Sequence, residues 1–294
     1  MSEAGGTATR VAALLAAYNR RELTLACLRS LRAQQLPGMT LDVFVLDDAS
    51  TDGTGEQIAD QFPDVTLLRG NGQLYWNGGM RRAFAAAIAR DFDFYLWMND
   101  DTRLDDGALA VLLDTERRLR ARGEGALIVA GSTRHPTTGE LTYGGVVHPH
   151  RRRPLKSVLV EPGDEPRPCD TMNGNVVLVS RAVVDRVGNI DPAFVQQMGD
   201  FDYGRRARAA GCSVWIAPGT VGTCAHPTSG PGERARVSDL RRLWSVKELK
   251  PGPWAVYSRR YAGRLWPLYW LSPYARRATQ VVLGRTPERW PPRG

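Results

Sequence analysis

The 294-residue sequence, with 43% hydrophobic and 24% charged residues, has an ordinary globular composition and is long enough for one large domain with an appendage. Its four cysteines form no C-x-x-C pair, which argues against a zinc cluster or a disulfide framework, and no apolar run approaches the ~18 residues of a membrane-spanning helix. The first ten residues lack a secretory-signal pattern, so we expect a cytoplasmic protein, at most peripheral at the inner face of the cell membrane.

Short apolar runs alternate with helical-period segments, a pattern that predicts a Rossmann-like α/β fold with a mostly parallel sheet flanked by helices. In chain order we predict strand Val11–Ala17, helix Arg21–Gln35, strand Leu41–Leu46, helix 55–62, strand 65–69, helix 79–90 and strand 92–98. Then follow helix 105–122, strand 126–132, hairpin strands within 134–168, strand Asn175–Val179, helices 181–187 and 200–210, and strand 213–217. We expect a flexible N-terminus (1–9), a catalytic domain (10–235) and a C-terminal helical extension (236–294).

The extension is basic and aromatic. Residues 241–294 hold twelve Lys or Arg against two acids, a charge of +10 that leaves the first 240 residues at −2, and they contain five of the eight tryptophans. One interpretation is binding to a membrane surface that carries a lipid-linked acceptor. The other is packing on the domain, through Trp254, Tyr257, Tyr261, Trp266, Tyr269 and Trp270. The Trp-rich surface also allows a homodimer, and its aromatic character argues against a nucleic-acid partner.

Loops that follow the strands are the first places to look for a ligand, because open α/β sheets bind ligands beyond the carboxyl ends of their strands. These loops are Tyr18-Asn19-Arg20, Asp47 to Ser50, Gly70 to Gly79 and Asn99-Asp100-Asp101. Two of these loops are acidic, one is rich in glycine, and one contains an aromatic side chain, Tyr18, close to the basic side chain of Arg20. No G-x-G-x-x-G follows the first strand, which argues against a dinucleotide-binding fold.

Two acid pairs end strands in this pattern. Asp100 and Asp101 are hard oxygen ligands of the kind that suits Mg²⁺ or Mn²⁺ with a bound diphosphate, and capping of the next helix is the alternative. At Asp47 and Asp48, one carboxylate can accept a hydrogen bond from a pyrimidine N–H, and an Asx turn with an N-cap is the alternative. The glycines before the helix at Met80 let backbone amides approach an anionic or sugar group, although such a pair often only makes a turn.

In order and spacing, these motifs resemble glycosyltransferase family 2, which has the GT-A fold, and especially its bacterial branch of rhamnosyltransferases and other cell-surface polysaccharide transferases. The resemblance covers about residues 10–270 and rests on Ala17 to Arg20, Val45 to Thr54, Trp97 to Thr102, and Gly199 to Arg206 ending at Gly211. It implies a nucleotide-binding half (10–104) and an acceptor-binding half (105–235). The implied reaction is metal-assisted, inverting transfer of a sugar from dTDP-rhamnose or a UDP-hexose to a hydroxyl of a glycan, glycolipid or other acceptor.

The resemblance also implies residue roles. Asp48 would read the base with Tyr18 stacking nearby, and Asp200 would be the general base. The other implied nucleotide contacts are Ala17, Arg20, Asn71, Gly78, Gly79 and Asp100; the implied metal ligands are Asp101 and His226; the implied acceptor or sugar contacts are Trp76, Asn173, Gly174 and Asp202. The chain departs from the family pattern at Asn99, where the motif normally begins with Asp, and at Gly199, where many relatives have Glu.

Structural alternatives accompany these roles. An ionised Asp200 at the positive end of a helix dipole stays deprotonated, as a base requires, but an N-cap is its alternative role. Asp202 and Arg206 are spaced for an i,i+4 ion pair worth about a few tenths of a kcal/mol. A sugar nucleotidyltransferase normally has a glycine-rich, basic loop after strand one, which is absent here. A non-catalytic nucleotide-sugar-binding protein stays open because of the departures at Asn99 and Gly199.

Overall fold

The computed structural model describes residues 8–150, 152–225 and 249–283. Most of the expected flexible N-terminus (1–9), the end of the expected catalytic domain (226–235) and both ends of the expected extension (236–248 and 284–294) lie outside these ranges. The strands are β1 (Thr9–Ala17), β2 (Met39–Asp47), β3 (Thr66–Arg69), β4 (Phe94–Met98), β5 (Arg103–Leu104), β6 (Leu127–Ala130), β7 (Thr133–Arg134), β8 (Leu141–Tyr143), β9 (Gly145–Val147), β10 (Val158–Leu159), β11 (Arg167–Pro168), β12 (Thr171–Met172), β13 (Val176–Ser180), β14 (Ser213–Ile216) and β15 (Gly222–Thr223). The helices are α1 (Arg21–Arg32), α2 (Thr54–Gln61), α3 (Tyr75–Ile88), α4 (Ala108–Ala121), α5 (Arg181–Val187), α6 (Gly199–Ala209), α7 (Pro251–Tyr261) and α8 (Trp266–Val282).

The main sheet of the described residues has eight strands in the order β11-β14-β6-β13-β4-β1-β2-β3. The strands β3, β2, β1 and β4 are parallel, and β13 runs antiparallel between β4 and β6. Because β1 is flanked by β2 on one side and β4 on the other, a crevice opens beyond the carboxyl ends of β1 and β4. The predicted α/β fold with a mostly parallel sheet is confirmed.

Side chains of β1 alternate between two apolar layers. Val11 and Leu15 pack in a cluster with α1, α2 and α4, whereas Ala12 and Leu14 pack in a second cluster with α3, α5 and α6. A strand covered on both faces needs a nearly continuous apolar run, which is the pattern of this strand in the sequence. The two helical layers hold the sheet rigidly and leave its carboxyl edge to the loops.

Helix α3 begins at Tyr75, before the start at residue 79 that the glycines predict. The reason is Asp48: its Oδ1 accepts the Gly72 N–H (2.8 Å), and its Oδ2 accepts the N–H groups of Leu74 (2.9 Å) and Tyr75 (3.0 Å). This carboxylate satisfies amides that a helix start leaves without intrahelical partners. Gly79 therefore lies inside the helix, where an added Cβ would come within 2.8 Å of the Ala16 side chain, so α3 packs closely on the sheet.

In the described part of the extension, one helix packs on the domain and the other exposes apolar side chains to solvent. In α7, Trp254 and Tyr257 are buried in a third apolar cluster with Phe194 and Phe201, which confirms packing of these aromatic residues on the domain. Helix α8 instead exposes apolar side chains, with Leu268 64% accessible. Within the residues that the structure describes, no helix combines the length and hydropathy needed to cross a bilayer.

Candidate active site

The loops after β1 and β2 are locked together at the carboxyl edge. The Asn19 Oδ1 accepts the Thr51 N–H (2.7 Å), and the Ser50 hydroxyl accepts the Asn19 N–H (2.9 Å). Asn19 and Ala49 both have left-handed backbone, with φ of 50° and 59°, a costly conformation for non-glycine residues that persists where the surroundings impose it. The result is a fixed edge from which Tyr18, 49% exposed, can offer a ring to a ligand.

Arg20 joins the two acids that follow β4. Its Nη1 lies 3.3 Å from Asp100 Oδ1 and 2.8 Å from Asp101 Oδ2, across the crevice between β1 and β4. Asp100 is buried, and burial raises its pKa to about 7 against the opposing effect of Arg20. Asp101 is more accessible, and its Oδ1 accepts the Cys224 thiol (3.2 Å). A half-exposed loop arginine therefore bridges a pair of carboxylates at the crevice.

Asp101, an expected metal ligand, is the more accessible of the two carboxylates that follow β4. No three or more His, Cys, Asp and Glu side chains are grouped to hold a metal within the described ranges, and His226, the other expected ligand, lies outside them. Magnesium-like ions are often held by one or two carboxylates together with substrate phosphates. Asp101 fits such a site, because it is partly exposed and its compensating charge, Arg20, comes from a loop.

Trp76 connects the carboxyl edge of the sheet to the segment before β13. Its Nε1 donates to the Asn99 Oδ1 at 2.8 Å, so the departure at Asn99 keeps an acceptor for the indole. The ring lies against Gly174, where an added Cβ would come within 2.3 Å of the Trp76 Cη2. Gly174 is thus required for this contact. Trp76 and Gly174, both expected at the sugar or acceptor, are brought together.

Asp200 lies in the first turn of α6 and faces the same segment. Its Oδ2 accepts the Gly174 N–H (2.8 Å) and its Oδ1 accepts the Phe201 N–H (2.8 Å). Burial raises the pKa of the carboxyl, while both backbone hydrogen bonds act in the opposite direction. The residue before the helix, Met198, has φ of 69°, a further left-handed residue at this edge. The N-cap position belongs to Met198, so Asp200 is held as an oriented carboxylate within the helix.

The starts of α3 and α6 meet at Asn77 and Gly199. Asn77 is fully buried, neither polar atom of its side chain has a hydrogen-bond partner among the described residues, and its N–H donates to the Val195 carbonyl (3.0 Å). An added Cβ at Gly199 would come within 2.0 Å of the Asn77 Oδ1. Glycine at position 199 therefore has a steric reason, and the Glu of many relatives would not fit beside Asn77.

Asp202 lies in the interior, away from any acceptor surface. Its side chain is fully buried; Arg206 donates to Oδ2 (2.7 Å), and Arg260 (2.7 Å) and the Tyr261 hydroxyl (2.8 Å) donate to Oδ1. The predicted Asp202–Arg206 pair is confirmed, but it is buried rather than at the surface. The carboxylate holds α7 against α6, so its observed contacts are structural and leave no atom exposed to an acceptor.

The remaining expected contacts are more scattered. Ala17 is buried at the end of β1, Asn71 is in an exposed turn, and Gly78 lies with Gly79 inside α3. Asn173 is partly buried beside Gly174, and its Oδ1 has no hydrogen-bond partner among the described residues.

Sequence reasoning missed two groups near Asp101. Burial and the Asp101 charge raise the pKa of the Cys224 thiol to about 12, and burial, Cys224 and Asp101 likewise raise the pKa of Tyr143. Cys224 stands next to the expected ligand segment at 226, which was the available signal. Tyr143 lies in a region of short hairpin strands, and nothing in its local pattern pointed to the acids.

Comparison with known proteins agrees with this geometry. The model of the family described as "Glycosyl transferase family 2" matches residues 13–157. Two Mycobacterium tuberculosis proteins named N-acetylglucosaminyl-diphospho-decaprenol L-rhamnosyltransferase, from different strains, are 30% identical to the chain over 202 residues, which cover 62% of this chain. The match spans 66% of the length of these curated relatives.

Solved structures show a similar fold. The crystal structure of S. aureus TarS 1-349 superposes with a TM-score of 0.53 at 13% identity, over 74% of this chain and 60% of that one. The mannosyltransferase PcManGT from Pyrobaculum calidifontis, in complex with GDP-Man and Mn²⁺, gives a TM-score of 0.55 at 18% identity, over 94% of this chain and 74% of that one. At these identities the likeness concerns the GT-A fold.

Proposed function

We propose that the chain is a glycosyltransferase that moves a sugar from a nucleoside-diphosphate donor to an acceptor hydroxyl, because residues 13–157 match the model of glycosyl transferase family 2 and the chain is 30% identical to two rhamnosyltransferases. The observation that carries the proposal is the crevice between β1 and β4. It collects Arg20, Asp100 and Asp101 on one side, and Trp76 connects it to the segment that holds Asp200. A charged diphosphate site and a separately oriented carboxylate are the two parts that such a transfer needs.

The relatives support a finer assignment of substrates. Their name specifies transfer of L-rhamnose to N-acetylglucosamine linked through a diphosphate to a polyprenol. We therefore favour dTDP-rhamnose over a UDP-hexose as the donor, and a sugar linked to a lipid by a diphosphate as the acceptor. Peripheral membrane contact is consistent with such an acceptor, because residues 249–283 contain six Lys or Arg and no acid, next to the exposed leucines of α8.

Asp200 acts as the general base in the proposed mechanism. Its carboxylate takes the proton of the acceptor hydroxyl as that oxygen attacks the anomeric carbon, and the bond to the donor diphosphate breaks in the same displacement, which inverts the anomeric configuration. The Gly174 and Phe201 amides hold the carboxylate in one orientation. Arg20 contributes positive charge near the leaving diphosphate. A divalent ion, Mg²⁺ or Mn²⁺, held by Asp101 would supply further charge for the leaving group.

Calorimetric titration with UDP, dTDP and GDP, with and without Mn²⁺, tests the donor site. We expect Mn²⁺-dependent binding of one pyrimidine diphosphate to the wild type, weakened at least about tenfold by Asp101→Ala through loss of a metal ligand. Asp106→Ala, which removes an exposed acid of the next loop, is the matched control and should bind like the wild type. Failure of every nucleotide to bind the wild type would contradict the proposed function.

A further inference from the structure

A second cavity lies between α6, α7 and the loop after β9, and none of the expected site residues lines it. Its volume is about 360 Å³. Arg205 and Arg208 of α6, His148 and His150 after β9, and Tyr261 of α7 contribute to its walls. Two arginines and two histidines, against the single carboxylate of Asp170, line this open cavity and favour an anionic occupant.

Arg205 is the cation in this cavity that lacks a compensating charge. Its guanidinium lies 4.1 Å from the Tyr261 ring centroid, and its Nη1 donates to the Tyr257 hydroxyl (3.3 Å). Throughout the part of the chain that the structure describes, it forms no ion pair. The neighbouring Arg208 is paired with Asp170, so the cavity keeps one net positive charge from these three residues. Two aromatic contacts fix the guanidinium but leave most of its N–H donors for a ligand.

His148 gives an independent sign of a missing ligand. Its side chain is only 6% exposed, and neither ring nitrogen has a hydrogen-bond partner among the described residues; the nearest carboxylate, of Asp170, lies 3.7 Å from Nδ1, beyond hydrogen-bond distance. Burial, with the nearby Arg205 charge, lowers its pKa to about 4, so the ring is neutral and carries one N–H donor. Buried polar groups are nearly always satisfied, and an oxyanion in the cavity would accept from this donor.

We propose that this cavity binds the diphosphate of the lipid-linked acceptor, with Arg205 and His148 as its principal donors. The inference rests on the proposed function. Arg205 and Arg208 follow Asp200 on the same helix, which places them about 7.5 and 12 Å from it along the axis. In the proposed complex, the acceptor sugar would lie between this diphosphate and the base.

The lipid would leave the cavity toward α8. The Tyr269 hydroxyl of that helix donates to the Arg152 carbonyl (2.6 Å), in the loop that supplies His150 to the cavity wall. The same helix exposes Leu268 (64%) and Leu271 (51%). An apolar helix face next to a diphosphate site is the arrangement that a polyprenol diphosphate requires.

Titrations in EDTA, which keeps a metal-dependent donor site silent, test the cavity directly. The probes are inorganic pyrophosphate, a short-chain prenyl diphosphate carrying N-acetylglucosamine, and the same prenyl N-acetylglucosaminide without phosphates. We expect the wild type to bind the diphosphate-linked probe more tightly than the phosphate-free one, and Arg205→Gln to weaken that binding at least about tenfold through loss of charge-assisted hydrogen bonds. Arg259→Gln, an exposed arginine on α7, should match the wild type.

Three outcomes would overturn the assignment: unchanged binding in Arg205→Gln, equal affinity for the phosphate-free probe, or binding of pyrophosphate while the prenyl diphosphate is excluded. His148→Gln provides a second variant if Arg205→Gln does not fold. Nucleotide titration with Mn²⁺ on the same proteins separates the two proposals. Intact nucleotide binding with no effect of Arg205 on the acceptor overturns the cavity alone, whereas absent nucleotide binding in the wild type counts against the glycosyltransferase itself.

Discussion

The crevice and the contact between α6 and α7 both neutralise carboxylates with arginine, but in different ways. At the crevice, one Arg20 from a loop, 43% exposed, serves both Asp100 and Asp101. At the helix contact, Arg206 and Arg260 come from two helices and bind a fully buried Asp202. A charge compensated from a loop can be exchanged for a ligand at small cost, whereas a charge compensated from two packed helices is part of the fold. The first is therefore suited to binding, and the second to stability.

Asp200 lies in α6, but we expect its carboxylate to serve catalysis rather than stability. Its substitution should therefore have the largest effect on activity. We expect Asp200→Asn to lower kcat about 10²- to 10⁴-fold, because the amide cannot accept the acceptor's proton. Nucleotide binding, measured by the same titration as for Asp101, should persist. A variant that lost nucleotide binding and thermal stability together would instead show that Asp200 is mainly structural.

The pH profile of the wild type provides the control. Since the base must be ionised, kcat should fall as the pH drops through the pKa of Asp200, and burial places that pKa above the ordinary aspartate value of 3.8. The residual activity of Asp200→Asn should lack this acidic limb. An identical limb in the variant would assign the titration to another group.

Sequence reasoning succeeded where the information is local. The apolar periods predicted most elements from β1 to β14, and the acid pair after β4 was placed at the right edge because the carboxyl ends of neighbouring parallel strands meet there. The contact of Arg20 with these acids was not predicted, although its loop follows β1 at the same edge.

Sequence reasoning failed where the structure depends on contacts between segments that are distant in the sequence. The early start of α3 depends on Asp48 in another loop, and the antiparallel placement of β13 between β4 and β6 has no local signature. Asp202 was expected at the acceptor or sugar, and its local i,i+4 spacing with Arg206 does not reveal its burial, which depends on Arg260 from the extension. The cavity at Arg205 is likewise made by four separate segments of the chain.

The difference between the two carboxylate environments can be tested on stability. We expect Asp202→Ala to lower the free energy of unfolding by about 3–5 kcal/mol, because it removes the buried carboxylate that joins α6 to α7, leaving Arg206 without an acidic partner and Arg260 with Asp191 alone. The matched control is Asp114→Ala, which removes another i,i+4 acid, paired with Arg118 at an exposed site of α4, and should cost less than about 1 kcal/mol. Urea unfolding measures both, and equal costs would contradict the distinction.

Gly199 lies where the start of α6 meets the start of α3. We expect its substitution to have the smallest effect of the changes proposed here. We expect Gly199→Ala to cost about 1–3 kcal/mol of stability, because the new Cβ would come within 2.0 Å of the Asn77 Oδ1 and the two helix starts must separate. Since the clash involves the amide, the same substitution in an Asn77→Ala background should cost much less, which a double-mutant cycle of unfolding free energies measures. An equal cost in both backgrounds would mean that position 199 requires glycine for its backbone rather than for contact with Asn77. A reduced cost would show that glycine stands at position 199 because Asn77 fills the space beside it in the contact between α3 and α6. The difference from the family pattern would then be a matter of packing and compatible with an active base at Asp200.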